Sequence, residues 1–100
     1  GIFCSVYTPC KLSELEIRNL FLEYYAEHPF VFVSEKEIDL KQVVNTNKCI
    51  LHIEKRDEKI VITAVIDNLL KGASGQAVQN MNLMMGWEET VGLKLKALAF

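Results

Sequence analysis

The sequence predicts an α+β fold, a mostly antiparallel or mixed sheet of about four strands with two helices. Runs of β-forming residues with a period of two recur along the chain, and two other stretches repeat apolar residues at helical spacing. Half of the residues are hydrophobic and 24% are charged, which is enough to build a packed core. A chain of 100 residues leaves room for one core, so we expect a single domain over 1–100.

The chain begins with a predicted strand and a predicted helix. Residues 2–8 alternate in strand fashion up to Pro9, which cannot donate a hydrogen bond to a β-ladder. Ser13 and Glu16 have the Ser-x-x-Glu form of a capping box, and apolar residues follow at helical spacing. A helix over 13–27 with one buried stripe is therefore predicted.

Further strands are predicted after Pro29, which disfavours helical geometry in the residue before it. Residues 30–33 can form a short strand. The clearest hairpin joins 49–55 to 59–66 through a charged Arg-Asp-Glu turn. The second of these runs is apolar at nearly every position, so we expect it to be buried on both faces, one of them by a partner.

The last predicted helix follows a glycine-rich turn that contains Gly72 and Gly75 and ends where Gly86 can close it in a left-handed cap after Met85. The glycines allow close approach of a backbone or a ligand, and a helix start offers unpaired N–H groups. By spacing alone, such a turn more often marks a packing contact than a ligand site. The tail, residues 91–100, could add an edge strand or run over the surface.

Charge and hydropathy exclude several classes of partner. The formal net charge of −2 provides no basic field for nucleic acid or anionic lipid. No stretch approaches the roughly 20 apolar residues of a membrane-spanning helix, and no basic leader precedes the first strand. We therefore expect a cytoplasmic protein with no nucleic-acid or membrane partner.

The thiols and imidazoles predict neither a metal site nor a catalytic one. The three cysteines lack C-x-x-C spacing and indicate reduced thiols. Cys4 and Cys49 lie within predicted strands, where free cysteine is commonly buried. Cys10 lies in a turn without a histidine nearby in sequence, His28 at a helix end and His52 mid-strand. We expect no catalytic residue in this chain.

The residues of the segment 67–93 are much less generic than its glycine spacing. The segment, DNLLKGASGQAVQNMNLMMGWEETVGL, closely resembles the C-terminal signature of the N-acetyl-gamma-glutamyl-phosphate reductase family, which is part of the semialdehyde dehydrogenase-like superfamily. Residues 1–8, 29–31 and 44–49 resemble further segments of that family. The family commonly has Gly where Asn45 stands, and asparagine is the other residue that best tolerates a positive φ.

The resemblance implies the fold of the C-terminal domain of glyceraldehyde-3-phosphate dehydrogenase-like enzymes. Members of the family use NADPH to reduce N-acetyl-gamma-glutamyl phosphate to N-acetylglutamate semialdehyde in arginine biosynthesis, with a cysteine nucleophile and a histidine that assists proton transfer. Neither their sequence contexts nor a Rossmann G-x-G-x-x-G turn occurs in residues 1–100. The implied protein is a C-terminal part of the catalytic and dimerisation domain, inactive alone and without bound NADP(H). Its implied partners are a separate N-terminal Rossmann domain and a second copy packed through the sheet.

The resemblance carries three residues over as cofactor contacts. In related semialdehyde dehydrogenases, the turn before the last helix folds against the cofactor domain, and a side chain at the helix start lies near the nicotinamide. Gln76 occupies that place, with Gly75 and Ser74 beside it. The alternative interpretation of Gln76 is an exposed helix residue. Lys71 is a weaker candidate for a phosphate contact, because most lysines are simply solvated.

A second hypothesis is a free-standing ligand-binding or regulatory module. If residues 30–33 are ignored, the predicted order of elements is that of a ferredoxin-like fold. A free-standing module would pack its last helix on its own sheet, whereas part of an enzyme would leave an apolar face open. Met81, Leu83, Met84 and Met85 would contribute to that face.

Overall fold

A computed structural model describes residues 1–95 and contains a four-stranded sheet with two α-helices. The elements are β1 (Ile2–Pro9), α1 (Glu14–Tyr24), β2 (Val31–Ser34), β3 (Cys49–Arg56), β4 (Lys59–Ile66) and α2 (Gly75–Met84). The strand order is β1-β4-β3-β2, with β4 antiparallel to both of its neighbours and β2 parallel to β3. The predicted α+β class and the mixed sheet are confirmed.

The sheet has the connectivity of a split βαβ unit, because β4 lies between β1 and β3 and is antiparallel to both. The β2 strand adds a parallel edge beyond β3. Residues 91–95 form turns and irregular structure instead of the edge strand considered for the tail, and the remainder of that prediction, 96–100, lies outside the described residues.

Helix α1 begins as predicted and ends earlier than predicted. The Ser13 hydroxyl accepts a hydrogen bond from the Glu16 N–H at 3.1 Å, which confirms the N-terminal cap. The helix ends at Tyr24, and the turns that follow lead into Pro29. No residue of α1 is fully buried, so its apolar stripe is only half-covered by β2 and β3.

The core lies where β3 and β4 meet the loops beside them. Ile60 is buried on one face of β4, whereas Val61 and Val65 are buried on the other. This confirms that β4 has buried residues on both faces, although the middle of the strand is only half-buried. The other buried apolar residues are Phe30, Val43, Leu51, Ile53 and Leu93.

The edge strand β1 is exposed along its whole length. It pairs with β4 through one edge, and nothing in residues 1–95 encloses its side chains. The expectation that Cys4 is buried is therefore wrong, while Cys49, on the more interior β3, is half-buried.

Candidate functional site

The β4–α2 junction begins at Asp67, whose carboxylate holds two separate stretches of backbone. Its Oδ2 accepts a hydrogen bond from the Asn45 N–H, and its Oδ1 accepts one from the Leu69 N–H, each at 2.8 Å. These backbone donors favour the ionised form and lower the pKa of Asp67. The end of β4 is thereby tied to the loop that precedes β3.

A π-helical turn, Leu70–Ser74, connects this carboxylate to α2. The Ser74 N–H donates to the Leu69 carbonyl at 3.2 Å, and the Gly75 N–H donates to the Leu70 carbonyl. The sequence predicts unpaired N–H groups at the start of the last helix, but those of Ser74 and Gly75 are paired, because the helical path begins several residues earlier. These two amides are not available to a phosphate.

Gly75 allows a close approach, as the sequence predicts, and the group that approaches it belongs to the protein. A Cβ placed on Gly75 would lie 1.7 Å from the side-chain oxygen of Asn47 and 2.6 Å from the Leu70 carbonyl. Both distances are shorter than any real carbon–oxygen contact, so only glycine fits. Gly75 is buried, whereas Ser74 and Gln76 on either side are exposed.

The loop before β3 contacts the junction from the other side. Asn45 has φ 64°, which confirms that the left-handed turn survives without glycine. Thr46 is fully buried, and its hydroxyl donates to the Val43 carbonyl at 2.6 Å. The Asn47 amide donates to the Leu93 carbonyl at 2.9 Å, so this loop also holds the chain beyond α2.

Lys71 is partly buried within the junction. Its ammonium donates to the Gln79 amide oxygen and lies 5.4 Å from the centroid of the Phe30 ring. Burial lowers the pKa of Lys71. Burial also raises the pKa of the nearby Cys49 thiol, and the positive charge of Lys71 partly offsets that rise. The interpretation of Lys71 as a solvated lysine is wrong, and its contacts are within the protein.

The imidazole on the sheet has structural partners. His52 is buried, with Nδ1 3.1 Å from the Ser34 carbonyl and Nε2 3.3 Å from a Glu54 carboxylate oxygen. Cys49 is three residues away on the same strand and therefore points to the opposite face. Across residues 1–95, no three His, Cys, Asp or Glu side chains form a group that could hold a metal ion. None of the helices described is long and apolar enough to cross a bilayer.

Comparison with known protein families identifies the sheet. A family model described as the semialdehyde dehydrogenase dimerisation domain matches residues 1–68, which run from β1 to the end of β4. The chain belongs to this family. The β4–α2 junction begins at Asp67, near the end of the matched region, and continues beyond it, so the candidate site lies where the matched domain leads into α2.

Relatives of this dimerisation domain match it over almost its full length. It is 60% identical over 100 residues to an N-acetyl-gamma-glutamyl-phosphate reductase of Parabacteroides distasonis, which covers 100% of this chain and 31% of that protein. Proteins of the same name from Karelsulcia muelleri and Phocaeicola vulgatus are 59% and 57% identical over 98 and 100 residues, 30% and 31% of their lengths. The chain thus spans less than a third of these curated relatives, and the resemblance found in the sequence is confirmed.

Two residues that organise the site escaped the sequence analysis. The sequence pattern assigns Asp67 and Asn47 no individual role, although Asp is a common turn residue whose carboxylate accepts from the backbone N–H two residues later, as Asp67 does from Leu69. No local pattern signals that Asn47 contacts Gly75, because the two residues are 28 positions apart (75 − 47).

Proposed function

We propose that this chain is the C-terminal dimerisation part of an NADPH-dependent reductase that converts N-acetyl-gamma-glutamyl phosphate to N-acetylglutamate semialdehyde, and that it is inactive alone. The main support is identity of 57–60% with reductases of that name across all 100 residues. A cytoplasmic location and a role in arginine biosynthesis belong to the same proposal.

The open surface of α2 favours this proposal over a free-standing module. Helix α2 makes its main contacts with the π-helical turn before it and not with the sheet. Three apolar side chains of α2 and the one directly after it are exposed: Met81, Leu83, Met84 and Met85. A self-contained module would cover such a surface, whereas a larger protein can bury it against another of its domains.

The geometry of the junction suits one kind of cofactor contact. Because the N–H groups of Ser74 and Gly75 are occupied, the turn is a poor phosphate cradle. Gln76 instead offers an exposed amide, which can donate to and accept from a carboxamide such as that of nicotinamide. We assign Gln76 the direct contact, Gly75 the close packing, and Ser74 an orienting role through its hydroxyl, which donates to the Leu69 carbonyl at 2.9 Å.

A second copy of the chain is the proposed partner of the sheet. The register places Phe3 and Tyr7 opposite Val65 and Val61, so their side chains share one face. Both aromatic rings are more than half exposed, at 51% and 62%. A cavity of about 260 Å³ opens on that face beside Thr63. Exposed aromatic residues around a hollow are typical of the centre of a subunit interface.

Activity measurements test the proposed reaction. We expect the whole protein to oxidise NADPH when given N-acetyl-gamma-glutamyl phosphate and the isolated 1–100 chain to show no turnover. Gln76→Ala in the whole protein should raise the KM for NADPH by about tenfold, the value of one hydrogen bond to the cofactor. Turnover by the isolated chain, or inactivity of the whole protein with this substrate, contradicts the proposal.

Molar mass in solution tests the proposed partner. Phe3→Glu combined with Tyr7→Glu should convert the whole protein from dimer to monomer, because two charges would be buried in the interface. Leu15→Glu, at a position that is 62% exposed on α1, is the matched control and should leave the dimer intact. A dimer that survives the β1 substitutions, or that the control disrupts equally, argues against this face.

A further inference from the structure

Asn47 has an unusual pair of contacts for a residue in a connecting loop. It is only 2% exposed, and its amide nitrogen donates to the Leu93 carbonyl at 2.9 Å. Its amide oxygen is also buried but has no hydrogen-bond partner within residues 1–95. An unsatisfied buried oxygen is destabilising relative to a paired one, so it calls for a physical reason.

The reason lies in the position of that oxygen against Gly75. A Cβ on residue 75 would come within 1.7 Å of it, so the oxygen occupies the space that any other side chain would take. A shift of α2 towards Asn47 would produce a clash, and a shift away would leave a void beside a buried polar atom. Asn47 therefore fixes the position of the helix at residue 75 from one side.

We infer that Asn47 is a positioning residue that holds Gln76 in place for the cofactor. This inference rests on the nicotinamide contact proposed above. Gln76 directly follows Gly75, so its direction is set by whatever fixes that glycine. The Asn45 N–H ties the same loop to Asp67 of the junction, and the Asn47 amide ties it to Leu93 beyond the helix. The loop, the helix and the chain after the helix thus meet at Asn47.

Asn82 provides a matched control. It is 1% exposed, and its amide donates to the Glu89 and Val91 carbonyls at 3.1 and 3.0 Å. It therefore holds the same segment after α2 and is an equally buried asparagine, but these hydrogen bonds do not involve Gly75. A general loss of stability would affect both variants, whereas a loss of positioning would affect only the variant at Asn47.

The test uses steady-state kinetics of the whole protein. Asn47→Ala should raise the KM for NADPH by about tenfold and change the KM for the acyl phosphate by less than about twofold, since one polar contact is lost at the cofactor only. Asn82→Ala should leave the KM for NADPH unchanged. Because Asn47 acts through Gln76, Asn47→Ala combined with Gln76→Ala should have the same KM for NADPH as Gln76→Ala alone.

A second readout does not require activity. Hydrogen exchange measured by mass spectrometry should be faster in the peptide over 70–77 in Asn47→Ala and unchanged there in Asn82→Ala. If Asn47→Ala does not fold, Asn47→Ser retains a small donor without the amide oxygen and should give the same pattern.

The outcomes separate the two claims. If Gln76→Ala raises the KM for NADPH but Asn47→Ala does not, or Asn82→Ala does so equally, the positioning role is refuted and the cofactor contact stands. If the KM for NADPH of the double variant rises by the product of the two single effects, the positioning role of Asn47 is refuted as well. If Gln76→Ala has no effect on the KM for NADPH, the proposed contact fails and the inference fails with it.

Discussion

Replacing Gly75 with alanine gives the sharpest test of the junction. The added Cβ would lie 1.7 Å from the Asn47 oxygen and 2.6 Å from the Leu70 carbonyl. Relief of the first contact requires the buried Asn47 side chain to move, and relief of the second requires the π-helical turn to open. Overpacking of this kind costs about 1–3 kcal/mol, and breaking the Gly75 N–H bond to Leu70 adds about 1 kcal/mol. Alanine in a helix regains about 1 kcal/mol over glycine, so we expect a net loss of about 2 kcal/mol.

Gly72→Ala is the control for this change. A Cβ there would meet the Ile66 side chain at 3.4 Å and nothing closer, which is an ordinary van der Waals contact. We expect this variant to match the wild type or to gain about 0.5 kcal/mol, because alanine restricts the unfolded chain. Urea unfolding followed by circular dichroism measures both free energies, with an unchanged m value as the check on two-state behaviour. Equal stability of the two variants would refute the close contact between Asn47 and Gly75.

Three other predictions concern single side chains. Asp67→Asn should lower the free energy of unfolding by about 1 kcal/mol at pH 7, because the amide nitrogen cannot accept one of the two backbone hydrogen bonds. Because the folded-state pKa of Asp67 is lowered, its contribution is present above the unfolded value of about 3.9 and is lost as the pH falls through the folded value, so the melting temperatures of variant and wild type should converge in acid. Asn45→Gly should be neutral, whereas Asn45→Ala should cost about 1 kcal/mol at φ 64°, which unfolding in urea can compare. Cys49 should react with iodoacetamide more slowly than the exposed Cys4 near pH 7.5, because burial raises the pKa of Cys49. Peptide mapping of the alkylated chain measures both rates, and faster reaction at Cys49 would contradict the prediction.

The features that the sequence predicted correctly depend on residues close together in the chain. The Ser13 cap, the hairpin of β3 and β4, and the left-handed Gly86 at φ 72° each follow from a few neighbouring residues. The fold class followed from these local elements together. The cofactor role of Ser74, Gly75 and Gln76 came from the resemblance and stays a prediction.

The features that the sequence missed depend on contacts between distant segments or on a local change of helical pitch. Cys4 lies in a good strand pattern, but its burial depends on a partner for β1 that the pattern does not specify. The π-helical turn forms because Asp67 and Leu69 carbonyls accept bonds from residues five positions later, at Gly72 and Ser74. A period of 3.6 cannot reveal that change of pitch.

If a second copy covers the aromatic face of β1, as proposed, the opposite face needs a different cover, and Cys4 provides a way to observe this. Successive side chains of a strand point to opposite faces, so Cys4 and Val6 lie on the face opposite to Phe3 and Tyr7. A second copy that packs only on the aromatic face leaves Cys4 uncovered. We therefore expect Cys4, exposed in this chain, to be protected from alkylation in the whole protein by its other domains. That protection should persist when Phe3→Glu and Tyr7→Glu break the dimer. If the monomeric variant instead releases Cys4 to react at the rate of the isolated chain, the second copy covers both faces, and the assignment of the aromatic face alone to the interface is wrong.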